Sequence, residues 1–449
     1  MWLIILLLLS IVFIIISTSV LKWHPFLSLI LVAFGFGIFS GTMSLNEVVD
    51  AVNSGFGNTI GYIGIVILAG SIIGKFLEKS GGAFKLASGS LKMVGAKNLP
   101  LAMSIVGYIV SIPVFCDSAF IVLFPLAKAL SRRTRMSLAM LTMALSLGLY
   151  VTHALIPPTP GPVAAAGILG ADLGLVILLG IPVSLVGLIT GWLFAIKVAS
   201  KSKYAIEQSP DSTEDIPENI SAEGPSMIKS LMPVFMPILL IVFRSVNELP
   251  SAPFGKGTLS LLISFIGQPS VALLLGVGLS FLLPVKLKRE MLSTSGWLGQ
   301  GIIAAAIIII VTGCGGAFGN VLQASGIADM LKNNLSGAQS LGILLPIIIA
   351  AALKIAQGSG TVSIITTASL MAPLMPSLGL DTAVAKAMVV VAIGSGAMFA
   401  SHANDSYFWV VTQMSGMNVK LGYRLQTAGT LITGIITSIA VWAFSFVVL

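Results

Sequence analysis

Runs of about 20 apolar residues, the length that carries one helix across the hydrocarbon core of a bilayer, recur along this chain. Clear runs begin at Trp2, Phe26, Ile60, Leu99, Met136, Leu173, Met227, Leu259, Gly296, Leu341, Ala383 and Thr427. Inside a membrane every backbone N–H and C=O must be paired within the protein, which leaves helices or a closed barrel. Barrel strands alternate apolar and polar residues in segments of about 10, whereas the Leu, Ile and Val runs here are continuous. With hydrophobic residues at 56% and charged residues at 9%, the expected fold is an all-α polytopic membrane protein of about a dozen spans. The run 1–20 has no basic residue ahead of its apolar core and no small-residue cleavage site, so it is expected to be the first span and not a secretory leader.

Two blocks recur in the same order. Gly70-x-x-x-Gly74-x-x-x-x-x-Ser80-Gly81 returns 245 residues later as Gly315-x-x-x-Gly319-x-x-x-x-x-Ser325-Gly326. Thr152-His153-Ala154 returns 249 residues later as Ser401-His402-Ala403, with Gly167 and Gly416 at the same offset. The chain has only three histidines, so two in matching contexts argue for a duplicated unit. Duplication in a polytopic membrane protein points to a transporter whose substrate site lies where the repeats meet. The expected division is a first membrane half, 1–199, a polar linker, 200–226, and a second membrane half, 227–449. Glu207, Asp211, Glu214, Asp215, Glu218, Glu223 and three prolines make the linker too polar to cross a bilayer. A second loop, 247–256, follows the first span of the second half. An odd number of spans between corresponding elements would invert the halves, and an inverted arrangement is expected.

Several classes are set aside. A net charge of +8 does not call for nucleic acid, because many basic residues sit in short clusters (132–135, 197–203 and 286–289) of the kind found in cytoplasmic loops. Cys116 and Cys314 are too few for a disulfide framework and suit packing. No His-Glu-x-x-His or Cys-x-x-Cys spacing is present, so neither a metal nor a cofactor is expected. Ser401, His402 and Asp405 are too close in sequence for a catalytic triad, and no enzyme is expected. A channel and an intramembrane hydrolase are the readings from other classes; repeats with paired helix breaks fit alternating access better.

The breaks carry the candidate chemistry. Phe115-Cys116-Asp117-Ser118 interrupts one apolar segment and Gln357-Gly358-Ser359-Gly360-Thr361 another. Polar breaks at membrane depth are tolerated only where they line a cavity or are buried in protein, and they expose helix ends that attract anions. Asp117 has no lysine or arginine nearer in sequence than Lys128. An isolated carboxylate there costs about 2.5–3.5 kcal/mol unless paired or protonated, which suits proton coupling; its other role is to cap a helix end. Thr152 and His153 precede four prolines in six residues, Pro157 to Pro162, a rigid wall or hinge beside a cavity or else a surface loop. Ser401, His402, Asn404 and Asp405 form a polar island suited to gripping hydroxyls or taking a proton, or alternatively a polar helix end at the surface. Lys354 is a counter-charge or a snorkelling side chain. Thr312 to Gly316 has little bulk, which favours close helix packing.

Taken together, Ser80-Gly81-Gly82-Ala83, Ile112-Pro113-Val114-Phe115, Thr152-His153 with Pro157 to Pro162, Gly315-Gly316-Ala317-Phe318, Ala356-Gln357-Gly358-Ser359, and Ser401 to Ser406 with Phe408-Trp409 resemble the gluconate permease family. That family comprises bacterial proton symporters and includes permeases for idonate, D-serine and related hydroxy acids. The resemblance covers nearly the whole chain. It implies a multi-pass protein of the bacterial cytoplasmic (inner) membrane that couples uptake of a small sugar acid to protons, and kinship with the larger ion-transporter fold, in which dimers move a transport domain like an elevator. Two departures bear on the substrate: Thr159 stands where members usually have His, and Cys116-Asp117-Ser118 stands where gluconate-type members have an aromatic-Glu-Val stretch. A shorter hydroxy acid (a tetronate or glycerate) or D-serine is therefore an alternative, as is sodium coupling. The expected mechanism docks the substrate carboxylate on the two breaks, meets its hydroxyls with Ser401, His402, Asn404 and Asp405, and protonates Asp117 or Asp405.

Overall fold

The computed structural model describes residues 2–94, 98–201, 206, 224–248, 254–255, 257–327 and 342–449. Most of the expected linker, 200–226, lies outside them, as does much of the loop 247–256. Among the described residues the chain is helical, with no strand. The first nine helices are α1 (Trp2–Ile15, continued by a π-helix over Ile16–Val20), α2 (Pro25–Ser40), α3 (Leu45–Lys79), α4 (Gly82–Val94), α5 (Leu99–Val110), α6 (Cys116–Thr134), α7 (Leu138–Leu155), α8 (Pro160–Leu169) and α9 (Leu173–Phe194). The longer helices that follow are α10 (Met227–Asn247), α11 (Thr258–Ile266), α12 (Pro269–Ser280), α13 (Trp297–Ala324), α14 (Leu344–Gln357), α15 (Gly360–Met371), α16 (Ala383–Gly396), α17 (Ser406–Ser415) and α18 (Ala428–Val448).

Hydropathy leads to an expectation of about a dozen spans, some of them broken. Among the described residues five stretches are long and apolar enough to cross a bilayer alone, and seven if each of two bent pairs counts as one span. Other apolar helices reach only 10–17 residues. The physical reason is local. Pro113 and the polar residues after it cut the run that begins at Leu99, so α5 stops at Val110 and α6 starts at Cys116. Gly358, with φ +83°, ends α14, and Ser359 at once caps α15 through a bond to the Val362 N–H. Pro160 and Pro162 fall in the first turn of α8, where a missing N–H costs no helical bond.

Helix landmarks recur at a nearly constant offset. Ser80 and Ser325 close α3 and α13, each followed by a glycine at φ +77° or +74°. Ser137 and Thr382 cap α7 and α16, Thr159 and Asp405 stand at the N-caps of α8 and α17, and Gly170 and Gly416 end those helices at positive φ. All these pairs are 245 or 246 residues apart. The 249-residue match of the histidines is out of this register. His153 lies inside α7, two residues before its end, while His402 lies in the non-helical segment between α16 and α17. At the offset of the landmarks His153 corresponds to Met398 or Phe399, so the two histidines are not equivalent positions.

The long helices α3 and α13 pack along each other. Glycine makes the approach close: a Cβ at Gly55 would stand 2.5 Å from the Gly316 carbonyl oxygen, and one at Gly313 would stand 2.7 Å from the Phe56 ring. The small-residue stretch 312–316 therefore serves helix packing. The opposite faces of this pair meet the broken helices. Gly70 and Gly74 lie against Pro158 and Pro113, and Gly315 and Gly319 lie against α15. Within the span that combines α7 and α8, an 18-residue stretch is 94% buried, and α7 packs against α5, α6 and α9.

Candidate functional site

The helix α6 packs against α17, with Asp117 of its first turn beside Ser406. Phe115 occupies the N-cap of α6 without a side-chain cap, so the first turn of that helix, Cys116-Asp117-Ser118, keeps free backbone donors. Cys116 is buried and reduced, as is Cys314 in α13. The Asp117 carboxyl lies within electrostatic reach of Asp405 and Lys354 and beside the Ser406 hydroxyl. Its Oδ1 is buried and has no hydrogen-bond partner. Asp117 is thus not the cap of its helix, and no cation pairs with it directly among the described residues.

The other break is tied tightly. Lys354, fully buried, reaches the Gly358 carbonyl at the end of its own helix and pairs with Asp405 Oδ2 at 2.6 Å. It neither snorkels nor offers an unpaired charge. Asp405 also accepts from Ser401 Oγ at 2.5 Å and, through Oδ1, from the Tyr407 N–H at 3.1 Å, which caps α17. His402 Nε2 and Asn404 Nδ2 both lie on the Ile355 carbonyl, at 3.0 and 2.9 Å, and Asn404 donates as well to Ala356. These bonds satisfy carbonyls that the end of α14 leaves without helical partners. The polar island is therefore in large part the lock that holds the α14–α15 tip.

What the lock leaves over is informative. Asp117 Oδ1, Tyr150 OH, His153 Nδ1, both polar atoms of the Gln357 amide, and Asn404 Oδ1 are buried without partners. An unpartnered buried polar atom costs about 1–3 kcal/mol, and five of the side chains that carry one lie around the pair of breaks. Of the expected residues, the structure brings together Cys116, Asp117, Gln357, Gly358, Gly360, Ser401, Asn404 and Asp405. His153 faces the first break, its ring 6.1 Å from that of Phe115. Thr152 is buried with its hydroxyl on the Gly148 carbonyl, an in-helix bond. The Ser359 hydroxyl serves as a cap. Ser118 and Thr361 stand in the first turns of α6 and α15.

Sequence reading missed Tyr150 and Tyr407. Their rings stack at 5.4 Å with planes 3° apart, joining α7 to α17. The signal was present, since Tyr150 precedes His153 by three residues and three residues along a helix return to the same face.

The tip has a testable weakness. At Gly358 a Cβ would run into the Asn404 backbone, and a left-handed alanine adds about 1–2 kcal/mol of strain. Gly358→Ala is expected to lower Tm in detergent and to weaken ligand binding together, measured by thermal unfolding and equilibrium binding. An unchanged Tm would show that the tip can relax freely.

Comparison with known proteins bears on this arrangement. A solved structure of the Alcanivorax borkumensis YdaH transporter superposes with a TM-score of 0.66, covering 95% of this chain and 99% of that one at 12% identity; the likeness is one of fold. An uncharacterized permease of Haemophilus influenzae is 37% identical, over 91% of this chain and 84% of its own. A gluconate permease of Pseudomonas aeruginosa is 33% identical, over 98% and 97%. The D-serine transporter DsdX of Escherichia coli is 31% identical, over 100% and 99%. The model of the GntP permease family matches residues 2–447. A multi-pass helical chain that matches this model from end to end is a permease and not an enzyme, and it belongs to the GntP family.

Proposed function

We propose that the chain is a secondary active transporter that imports a small, gluconate-like hydroxy acid together with protons. The observation that carries this reading is the set of five side chains with a buried, unpartnered polar atom around the paired breaks, one of them a carboxylate without a direct cation. The substrate carboxylate docks at the free N-terminal turns of α6 and α15, and its hydroxyls meet Gln357, Asn404 and His153. The two candidate proton carriers differ in their surroundings. Asp405 is held by Lys354, Ser401 and the Tyr407 N–H, which suits a fixed counter-ion. Asp117 has an oxygen to spare, and it carries the coupling proton. Proton and substrate then favour each other's binding.

Alternating access is proposed to be of the elevator kind, with the halves 1–199 and 227–449 inverted and two copies forming a dimer in the bacterial inner membrane. The glycine-lined faces of α3 and α13 support it, since Gly70, Gly74, Gly315 and Gly319 present smooth backbone to the broken helices. D-serine or a shorter hydroxy acid is the second reading. The short Asp117 side chain with Ser118 favours it, as does full-length similarity to a D-serine transporter.

Uptake into proteoliposomes under an inward proton gradient tests the proposal, with labelled gluconate, glycerate and D-serine in parallel. Accumulation of one of them that collapses with a protonophore is the expected result. Accumulation that needs sodium and ignores protons would replace the coupling ion, and flux that never exceeds equilibration would make the protein a channel.

A further inference from the structure

Tyr150 is the feature of the site that neither the lock nor the coupling carboxylate uses. Its side chain is only 5% exposed and its hydroxyl has no partner. The ring is held by a stack. One face stacks on Tyr407, whose own hydroxyl donates to the Ser146 carbonyl at 3.0 Å and whose N–H is held by Asp405. Tyr150 therefore cannot swing to find another acceptor without breaking the stack.

Its hydroxyl points at the N-terminus of α15. A Cβ built on Gly360 would lie 3.9 Å from the Tyr150 oxygen and 3.5 Å from the Ala397 carbonyl oxygen. The first turn of α15 keeps two backbone donors. Ser359 takes the Val362 N–H with its side chain and the Ser363 N–H with its carbonyl, which leaves the N–H groups of Gly360 and Thr361. Three donors at one helix end suit a group with two oxygens and no proton to give, and the Ala397 carbonyl borders the same place. The helix dipole adds a preference for negative charge. Lys354, the nearby cation, is already neutralised by Asp405, so recognition of the anion falls to neutral donors.

We infer that Tyr150 is a specificity-determining residue whose hydroxyl donates to the substrate carboxylate at the N-terminus of α15. The inference rests on the proposed function and sharpens it. It assigns the carboxylate to one of the two breaks, and it makes the tyrosine hydroxyl the means by which an acid is told from its uncharged amide.

The test is equilibrium binding of gluconate, glycerate and D-serine, each alongside its amide, to the full chain in nanodiscs. Wild type is compared with Tyr150→Phe, Gly360→Ala and, as a control, Tyr108→Phe, which removes a hydroxyl already paired with Ser184. A hydrogen bond to a charged group is worth about 1.5–3 kcal/mol, or at least roughly tenfold in affinity. Tyr150→Phe is expected to weaken binding by about that factor and to narrow the preference for the acid over its amide. Gly360→Ala fits without displacing its neighbours, because contacts of 3.5 and 3.9 Å are ordinary, and its methyl fills the space the carboxylate needs. It is expected to match or exceed the loss. Tyr108→Phe should stay within twofold. Wild-type binding of any of the three acids that both variants retain overturns the role of Tyr150 and leaves the transporter reading standing. Failure of wild type to bind all three overturns the hydroxy-acid reading and this inference with it.

Discussion

Asp117→Asn is expected to abolish proton-driven accumulation while leaving substrate binding within a few-fold of wild type. In wild type the apparent affinity should be highest at low pH and fall as the pH rises through the titration of the coupling group. Coupled sites commonly shift one another by about 5- to 150-fold. In the asparagine variant the profile should be flat, because the amide is permanently neutral and already resembles the protonated state. Exchange of labelled for unlabelled substrate across the membrane should survive, since a loaded neutral carrier can still move. The two carboxylates, Asp117 and Asp405, interact electrostatically but differ in their partners. Asp405 has three partners, whereas Asp117 Oδ1 has none. Affinity measured from mildly acidic to alkaline pH in both proteins decides it. A variant that still accumulates substrate with protonophore sensitivity would move the proton to another group.

Much of this architecture was legible in the chain, and its limits have physical causes. Ser80-Gly81 and Ser325-Gly326 could be paired from sequence because both positions need the same thing, a helix end followed by a residue at positive φ. Backbone demands of that kind leave few residue choices, so they survive as letters. The Thr152-His153 and Ser401-His402 match was misleading for the opposite reason. Histidine in a membrane can satisfy several unrelated demands: His402 stands on an orphan carbonyl at a helix end, and His153 faces Phe115 from within a helix. The polar breaks at 116–118 and 357–361 were visible because apolar runs make any interruption conspicuous. Who bonds whom within them was not visible. Lys354 and Asp405 are 51 residues apart, and only the folding of α14 against the segment before α17 brings them together. Tyr150 was hidden by its surroundings, since one tyrosine in an apolar helix reads as packing until its hydroxyl is found without a partner.

The Lys354–Asp405 pair leads to the second large expected effect, this one on stability. Breaking a buried ion pair from one side is expected to cost about 3–5 kcal/mol, because it strands the other charge in a medium that cannot solvate it. Lys354→Met should therefore be severely destabilised. It leaves Asp405 ionised at the centre of the bundle and also removes the donor that satisfies the Gly358 carbonyl. Asp405→Asn strands Lys354 but keeps an oxygen that can cap α17 at the Tyr407 N–H, so it should be the milder of the two single changes. The double variant Lys354→Met/Asp405→Asn carries no stranded charge and should be more stable than Lys354→Met alone, a coupling that a double-mutant cycle reads directly. Thermal unfolding of all four proteins in one detergent gives the cycle. Additive losses would mean that the two side chains act separately, through the Gly358 carbonyl and the α17 cap, and that their ion pair contributes little. A strongly non-additive cycle would identify the pair as what fixes the α14–α15 tip against the segment before α17, and so as what sets Gly360 opposite Tyr150.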